Sequence, residues 1–523
     1  MARFLRFEHV SFAYPGMTNM LIDDVDAHFG QGWTGIVGPN GAGKTTFLQL
    51  ATGGLEPSKG TIQHLSSSRY AVQRTDNPPE GWEEFMSATD ASAFDLKLRL
   101  GVHDDWFSRW NTLSHGERKR SQIAVVLWSN PEVLALDEPT NHIDSGARLM
   151  LIDALQRFKG VGLLVSHDRE LLDALCNQCL FINPPIAKMR PGGVTAGMEQ
   201  DRTEQISARA RDNNAKDAAR RLKKAAQDKL EQAEHTAAVN KSTKHIKPNK
   251  NDHDGRAKRQ LAKMTGKDSW AVTQSASLAK KASAVEASRA SISIRKEYEM
   301  GFWLEGSTCS MRNTVLSVSG GELPLGDGRK LVYPDLYVSP KDRIALTGSN
   351  GLGKSTLLKT LLQNVNVSPD RLISIPQEIT ADEAKSILEE ARSLPKERLG
   401  LVMTSVSRLG SRPGRLLESE QPSPGEIRKL LLAMGVTRGP HLIVMDEPTN
   451  HMDLPSIECL EDALVQCPCA MLLVSHDQRF LEKLTDYTWK LELQEDGLTV
   501  KLVIGRRDIV PTWDFGKGEE SII

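Results

Sequence analysis

At 523 residues, 39% of them apolar and 25% charged, the chain exceeds what one hydrophobic core usually holds, so two or more domains are expected. No run of about 18 apolar residues occurs, and residues 1–6 lead directly into strand-like sequence, so neither a membrane span nor a secretion signal is expected. Six cysteines are too few for a disulfide framework and fit a reducing cytoplasm. The net charge of −1 hides a basic middle, where residues 201–300 hold 23 Lys and Arg against 13 Asp and Glu, a pattern that points to a polyanionic partner.

The first element with chemical content is an apolar run at 33–37, a predicted strand. It is followed by Gly38, Pro39, Asn40, Gly41, Ala42, Gly43, Lys44, Thr45 and Thr46, and then by helix-like sequence. Strand, glycine-rich turn and helix in that order make a P-loop, in which backbone N–H groups at a helix N-terminus face phosphates. Lys44 is expected to reach the β- and γ-phosphates, and Thr45 to ligate Mg²⁺. A second apolar run ends in Asp137 and Glu138. There the Asp is expected to hold Mg²⁺ through water, and the Glu to act as general base on an attacking water. A third ends at His167, 29 residues after Glu138, placed to sense or orient a γ-phosphate.

Next comes a different kind of sequence. Residues 198–247 and 267–300 contain neither Gly nor Pro, and the first run is rich in Ala, Gln, Lys, Arg and Glu. The expectation is a helical hairpin whose arms would be about 75 Å and about 50 Å long at 1.5 Å per residue. Its turn-rich tip carries Lys241, Lys244, Lys247 and Lys250.

The first third of the chain then recurs. Gly348, Ser349, Asn350, Gly351, Leu352, Gly353, Lys354, Ser355 and Thr356 repeat the P-loop at an offset of 310, with Ser355 as the second Mg²⁺ ligand. Asp446 and Glu447 repeat the acidic pair, and His476 again lies 29 residues beyond the Glu. Equal spacing in both copies makes a structural role for either His the weaker reading. Cys176, Cys179, Cys467 and Cys469 lack a second ligand pair at zinc spacing and are expected to be buried thiols.

Twenty-three residues before each Asp stands a Ser-x-Gly-Glu, at Ser114-His115-Gly116-Glu117 and Ser423-Pro424-Gly425-Glu426. These residues resemble the signature of the ATP-binding cassette (ABC) superfamily, with Gln73 and Gln377 at its Q-loop position and Tyr14 at that of its adenine-stacking aromatic. Glu-Pro-Thr-Asn-His-x-Asp at 138–144 and 447–453 is similar to the ABC-F pattern, as are two fused cassettes joined by a long charged linker. The motifs cover 1–185 and 310–505; the region between them matches by architecture alone.

The resemblance implies an α/β protein of two tandem P-loop nucleotide-binding domains joined by a long hairpin-like helical linker. The first cassette is placed at 1–190, the linker at 191–305, the second cassette at 306–510 and a short tail at 511–523. It implies ATP and Mg²⁺ as ligands and ATP hydrolysis as the reaction. Each ATP is held between cassettes: site one takes Lys44, Thr45, Gln73, Asp137, Glu138 and His167 with Ser423 and Gly425. Site two takes Lys354, Ser355, Gln377, Asp446, Glu447 and His476 with Ser114 and Gly116. The family's partner is the ribosome, its rRNA and tRNA met by the linker, with the role either a translation factor or antibiotic resistance by ribosomal protection. A monomer that pairs its own cassettes in the cytoplasm is expected.

Two departures make the sites unequal. Pro424 stands where the family has Gly and has no N–H to donate, and residues 315–332 contain no aromatic counterpart of Tyr14. A fused transporter ATPase is the alternative; it would need a membrane partner and has no obvious use for the basic segment. DNA-repair ABC ATPases would need large zinc-bearing insertions, but only 41 residues separate Gln73 from Ser114.

Overall fold

A computed structural model describes residues 4–506 apart from 18, 64, 142, 244–266, 291–308, 327, 412, 419–421 and 451. The expected hairpin tip with Lys244, Lys247 and Lys250, and the 511–523 tail, lie outside the described residues. The chain divides into two compact units, Met1–Gly197 with Tyr298–Ile523, and Met198–Glu297.

Nine strands build the first cassette: β1 (Leu5–Phe12), β2 (Ile22–Phe29), β3 (Gly32–Val37), β4 (Lys59–Gln63), β5 (Ser68–Ala71), β6 (Val133–Asp137), β7 (Val161–Val165), β8 (Cys176–Asn183) and β9 (Ile186–Pro191). Strands β6 and β7 are buried at every position, as strands covered on both faces must be. They belong to a six-stranded sheet ordered β5-β6-β7-β3-β8-β9, parallel except for β9, while β2-β1-β4 form a separate antiparallel sheet.

The second cassette follows with β10 (Leu316–Val318), β11 (Gly321–Pro324), β12 (Lys330–Tyr333), β13 (Leu336–Val338), β14 (Arg343–Thr347), β15 (Leu372–Ile375), β16 (Leu442–Asp446), β17 (Ala470–Val474), β18 (Tyr487–Leu493) and β19 (Thr499–Arg506). Its main sheet runs β11-β12-β19-β18-β14-β17-β16-β15, so its central order repeats that of the first cassette. The register repeats as well: Asp137 lies opposite Val165, and Asp446 opposite Val474.

This order puts the chemistry in one place. Strand β3 lies between β7 and β8, and β14 between β17 and β18. Each P-loop therefore leaves the carboxyl end of a central strand next to the strand that leads to the His and one strand away from that ending in the acidic pair, the position where open α/β sheets bind ligands. Apolar side chains lock the arrangement, with Phe7 stacked on Phe47 at 4.7 Å in the first core. In the second, Leu346, Leu357, Val444 and Leu472 meet.

Among its described residues the Met198–Glu297 unit has two helices, the long helix Val194–Thr243 that runs into it and Lys267–Ala290. They are antiparallel: Arg289 pairs with Asp212, while Ser275 Oγ donates to the Ala226 carbonyl at 2.8 Å. Ala219, Ala226 and Ala233, spaced by sevens, are buried, as are Ser275 and Ala282. A seam of small residues at heptad spacing lets two helices pack closely. Lys223 and Glu286 add an ion pair at 2.7 Å. Among the described residues, no helix is long and apolar enough to cross a membrane.

Candidate nucleotide sites

Each P-loop turns on glycines in the left-handed region. Gly43 (φ +91°) and Gly353 (φ +92°) cap the helices Lys44–Ala51 and Lys354–Gln363, so the loop's N–H groups gather at a helix N-terminus. Gly38 has a different reason: a Cβ there would lie 2.3 Å from the Ile182 carbonyl oxygen. Lys44 Nζ donates to the Gly38 and Pro39 carbonyls at 2.8 and 3.2 Å, and Lys354 Nζ to those of Gly348 and Ser349 at 2.7 and 3.2 Å. Burial lowers the pKa of both ammonium groups, opposed first by Glu138 and Glu447 respectively. Ala42 and Leu352 are buried beneath their loops, and Thr46 is buried while Thr356 is exposed.

The hydroxyl and carboxylate expected to share a metal meet in both copies. Thr45 Oγ1 donates to Asp137 Oδ2 at 2.7 Å, and Ser355 Oγ to Asp446 Oδ2 at 3.1 Å. A hard oxygen pair of this kind suits Mg²⁺. The two acids that follow, Glu138 and Glu447, sit at φ +48° and are buried, and that burial pushes both carboxyls well above the usual carboxylate range. Each accepts from the backbone N–H of its His, Glu138 from His167 at 3.3 Å and Glu447 from His476 at 3.2 Å. The other oxygen, Oε1, is buried in each without a hydrogen-bond partner. Two buried carboxyl oxygens with hydrogen-bonding capacity to spare, each faced by an imidazole beside a P-loop, fit the binding of a water and a nucleotide triphosphate.

The imidazoles are set differently. His167 Nε2 lies 3.1 Å from Glu138 Oε1, whereas His476 Nε2 lies 3.6 Å from Glu447 Oε1 and 3.0 Å from Asn350 Oδ1. Burial, helped by the positive Lys354, pulls the His476 pKa down to about 4, so this ring is neutral at physiological pH.

Both signature serines cap helices. Ser114 opens His115–Trp128 and Ser423 opens Pro424–Val436, each in a capping box with Glu117 or Glu426. Pro424 sits at the first helical position, where a missing N–H and a fixed φ suit the helix, so the Gly-to-Pro departure leaves the cap intact. A cleft of about 1070 Å³ brings together Ser114 and Gly116 of the first cassette with Lys354, Ser355, Gln377, Asp446, Glu447 and His476 of the second, with Glu138 and His167 also on its wall. For site one, Lys44, Thr45, Asp137, Glu138 and His167 cluster as described. Gln73 is exposed, Ser423 is exposed and Gly425 buried.

The two cassettes also differ in the loop beside the P-loop. In the first cassette, residues 13–21 join β1 to β2 and present Tyr14, half-exposed, its hydroxyl 2.9 Å from Thr46 Oγ1. In the second, only residues 325–329 join β11 to β12, and Arg329 holds the cleft wall there, donating to the Gly351 carbonyl at 3.0 Å.

Three features carry no role in the sequence reading. Asp144 and Asp453, the last residues of the Glu-Pro-Thr-Asn-His-x-Asp motifs, each cross to the other cassette: Asp453 Oδ2 accepts from Asn40 N at 2.7 Å, Asp144 Oδ2 from Asn350 N at 3.3 Å. Lys119 and Arg428, five residues after the signature serines, are buried and donate to the backbone carbonyls of Gln73 and Gln377. Burial draws Lys119 down to about 8. Tyr70 donates to Asp137 at 3.1 Å, a contact that Ser374, at the same register position in the second sheet, does not make. The signal for the first was the repeated Asp itself; for the others, cations and a phenol at sheet and helix positions gave none.

The ABC transporter family model matches residues 22–141 and 333–450. The chain is 27% identical over 484 residues to the ribosome protection protein VmlR of Bacillus subtilis, covering 90% of this chain and 83% of that one. It is 25% identical to ABC transporter F family member 2 of Dictyostelium discoideum, covering 93% and 85%. Among solved structures, one of ribosome-bound archaeal Pelota and ABCE1 matches with a TM-score of 0.61 at 18% identity, over 95% of this chain and 78% of that one, a likeness of fold. Two matched ABC-transporter domains that repeat one sheet order, one set of P-loop contacts and one acidic pair make the chain an ATPase with two tandem ATP-binding cassettes.

Proposed function

We propose that this ATPase acts on the ribosome and that its output is a conformational switch rather than the hydrolysis product. The observation that carries the reading is the Met198–Glu297 unit. Two antiparallel helices on a small-residue seam form a slender element, and this stretch of chain is the basic one. Such charge is suited to phosphate backbones and needs no base-reading motif. The similarity to a protein named for ribosome protection favours that role over a transport partner.

In the cassettes, Lys44 and Lys354 would bind the β- and γ-phosphates, with the signature Ser114 and Ser423 closing each site from across. Thr45 with Asp137, and Ser355 with Asp446, would hold Mg²⁺, which supplies charge neutralisation on the phosphates when bound. Glu138 and Glu447 would take the proton of the attacking water, with His167 and His476 orienting the γ-phosphate. Gln73 and Gln377, Tyr14 at the base of site one, and the loop residues 38–43 and 348–353 complete the two sites.

Co-sedimentation of the Glu138→Gln/Glu447→Gln variant with purified ribosomes in ATP, against membranes of the same cells, tests the proposal. ATP-dependent ribosome pelleting is expected. Pelleting with membranes instead, or indifference to ATP, would overturn it.

A further inference from the structure

The first cassette reaches across to the second ATP site through two arginines that the phosphate chemistry does not use. Arg169, two residues after His167, pairs with buried Glu461 and, at 3.2 Å, with Asp477. Asp477 adjoins His476 and caps the helix Gln478–Leu484 by accepting from Phe480 N. Arg148 lies on the helix Ser145–Gln156 and is 8% exposed. Glu170 holds one end of its guanidinium at 2.7 Å, and the other end contacts Asp168 Oδ2 and the carbonyl oxygen of His476, both at 3.5 Å.

Neither arginine has a cationic counterpart in the second cassette. At the 309-residue offset, Arg148 becomes Ile457, Arg169 becomes Gln478 and Glu461 becomes Ile152. The second cassette answers with Arg479, which pairs with Asp173 at 2.8 Å, six residues beyond His167. The His476–Asp477 turn is therefore gripped from the opposite cassette by two cations, while the His167–Asp168 turn is held by Arg148 of its own cassette.

We propose that Arg148 and Arg169 are positioning residues for the second ATP site, setting His476 only when the cassettes are paired. Cassette pairing thereby becomes a condition for hydrolysis at site two and a weaker one at site one. The inference rests on the reading of site two given above. Opening the interface would draw both guanidiniums off the His476 turn, so that site two falls silent before its nucleotide is lost.

The test measures steady-state ATP hydrolysis by the full chain in two backgrounds: Glu138→Gln, which leaves site two working, and Glu447→Gln, which leaves site one. Arg169→Met should lower kcat roughly tenfold in the first background, with KM for ATP nearly unchanged, and by no more than about twofold in the second, whereas Arg148→Met, which also touches Asp168 of its own cassette, should lower kcat in both. Because Arg169→Met leaves buried Glu461 with Lys483 as its ion-pair partner at 3.1 Å, Arg169→Met/Glu461→Gln, which removes both charges of the crossing pair, should give the same split with the fold intact by circular dichroism. Equal losses from Arg169→Met in both backgrounds, or a loss confined to KM, would make the arginines mere interface contacts and overturn the proposal. Lys354→Ala in the first background separates the two readings. If it abolishes turnover while the arginine variants do nothing, the positioning role fails alone; if it too is silent, the reading of site two fails.

Discussion

The two cassettes share a sheet order and a strand register, yet hold their reactive side chains differently. In the first, His167 is drawn to its own Glu138, Tyr70 leans on Asp137, and Tyr14 stands beside the P-loop. In the second, His476 turns to Asn350, no phenol reaches Asp446 among the described contacts, and Arg329 takes the loop wall. What duplication kept is what phosphate chemistry needs: the left-handed glycines, the lysine, the hydroxyl–carboxylate pair and the buried Glu. What it let go are the neighbours that tune those groups. Two sites built from one plan can therefore bind the same nucleotide and turn it over at different rates.

The largest expected effect erases the difference. Glu138→Gln with Glu447→Gln should lower ATP turnover on the order of a hundredfold or more while nucleotide binding persists, because each removes the proposed general base. Phosphate release and binding of a fluorescent nucleotide check it; wild-type turnover would refute the assignment. Single substitutions then rank the sites. Glu447→Gln alone is expected to cost several-fold more turnover than Glu138→Gln alone, since site two has its cleft, signature segment and His assembled together. The reverse order would make site one the working site.

A pH experiment sharpens the contrast between the imidazoles. His476 is held neutral in the fold, with its pKa drawn from 6.5 to about 4, so the unfolded chain binds the extra proton first. Its contribution to stability is whole above pH 6.5 and declines as pH falls towards 4, by up to roughly 3 kcal/mol. His476→Asn should therefore flatten the loss of thermal stability over that window; an unchanged profile would show that the ring titrates normally. The smallest effect is expected from Tyr70→Phe, which deletes a neutral-to-charged hydrogen bond on Asp137 worth about 1–3 kcal/mol at most. It should shift the Mg²⁺ dependence of turnover in the Glu447→Gln background and leave the Glu138→Gln background unmoved.

How far the sequence could be read follows from what each contact depends on. The P-loops, acids and histidines were legible because each needs a fixed residue type at a fixed distance from a strand end. The helical character of 198–247 was legible from composition, and the helix there runs to Thr243. The contact that joins Asn350 to Asp144 spans 206 residues, and Arg169 meets Glu461 across 292. Partnerships that distant depend on how two finished domains face each other, which local pattern does not encode. Pro424 illustrates the converse: set against a family signature it read as a lost donor, whereas its place at the first turn of a helix makes it compatible with the cap.

The alanine seam of the basic unit has a mechanical consequence. A buried methyl contributes on the order of 1 kcal/mol or less, so a pair of helices joined through Ala219, Ala226, Ala233 and Ala282 is thin but only weakly glued. Its ion pairs, Lys223 with Glu286 and Arg289 with Asp212, weaken as salt rises. Such an element is stiff along its length, where helical hydrogen bonds resist compression, and compliant across it, where little holds one helix to the other. Pushed end-on it transmits displacement; pressed from the side by a shaped wall it can shear by small steps and conform.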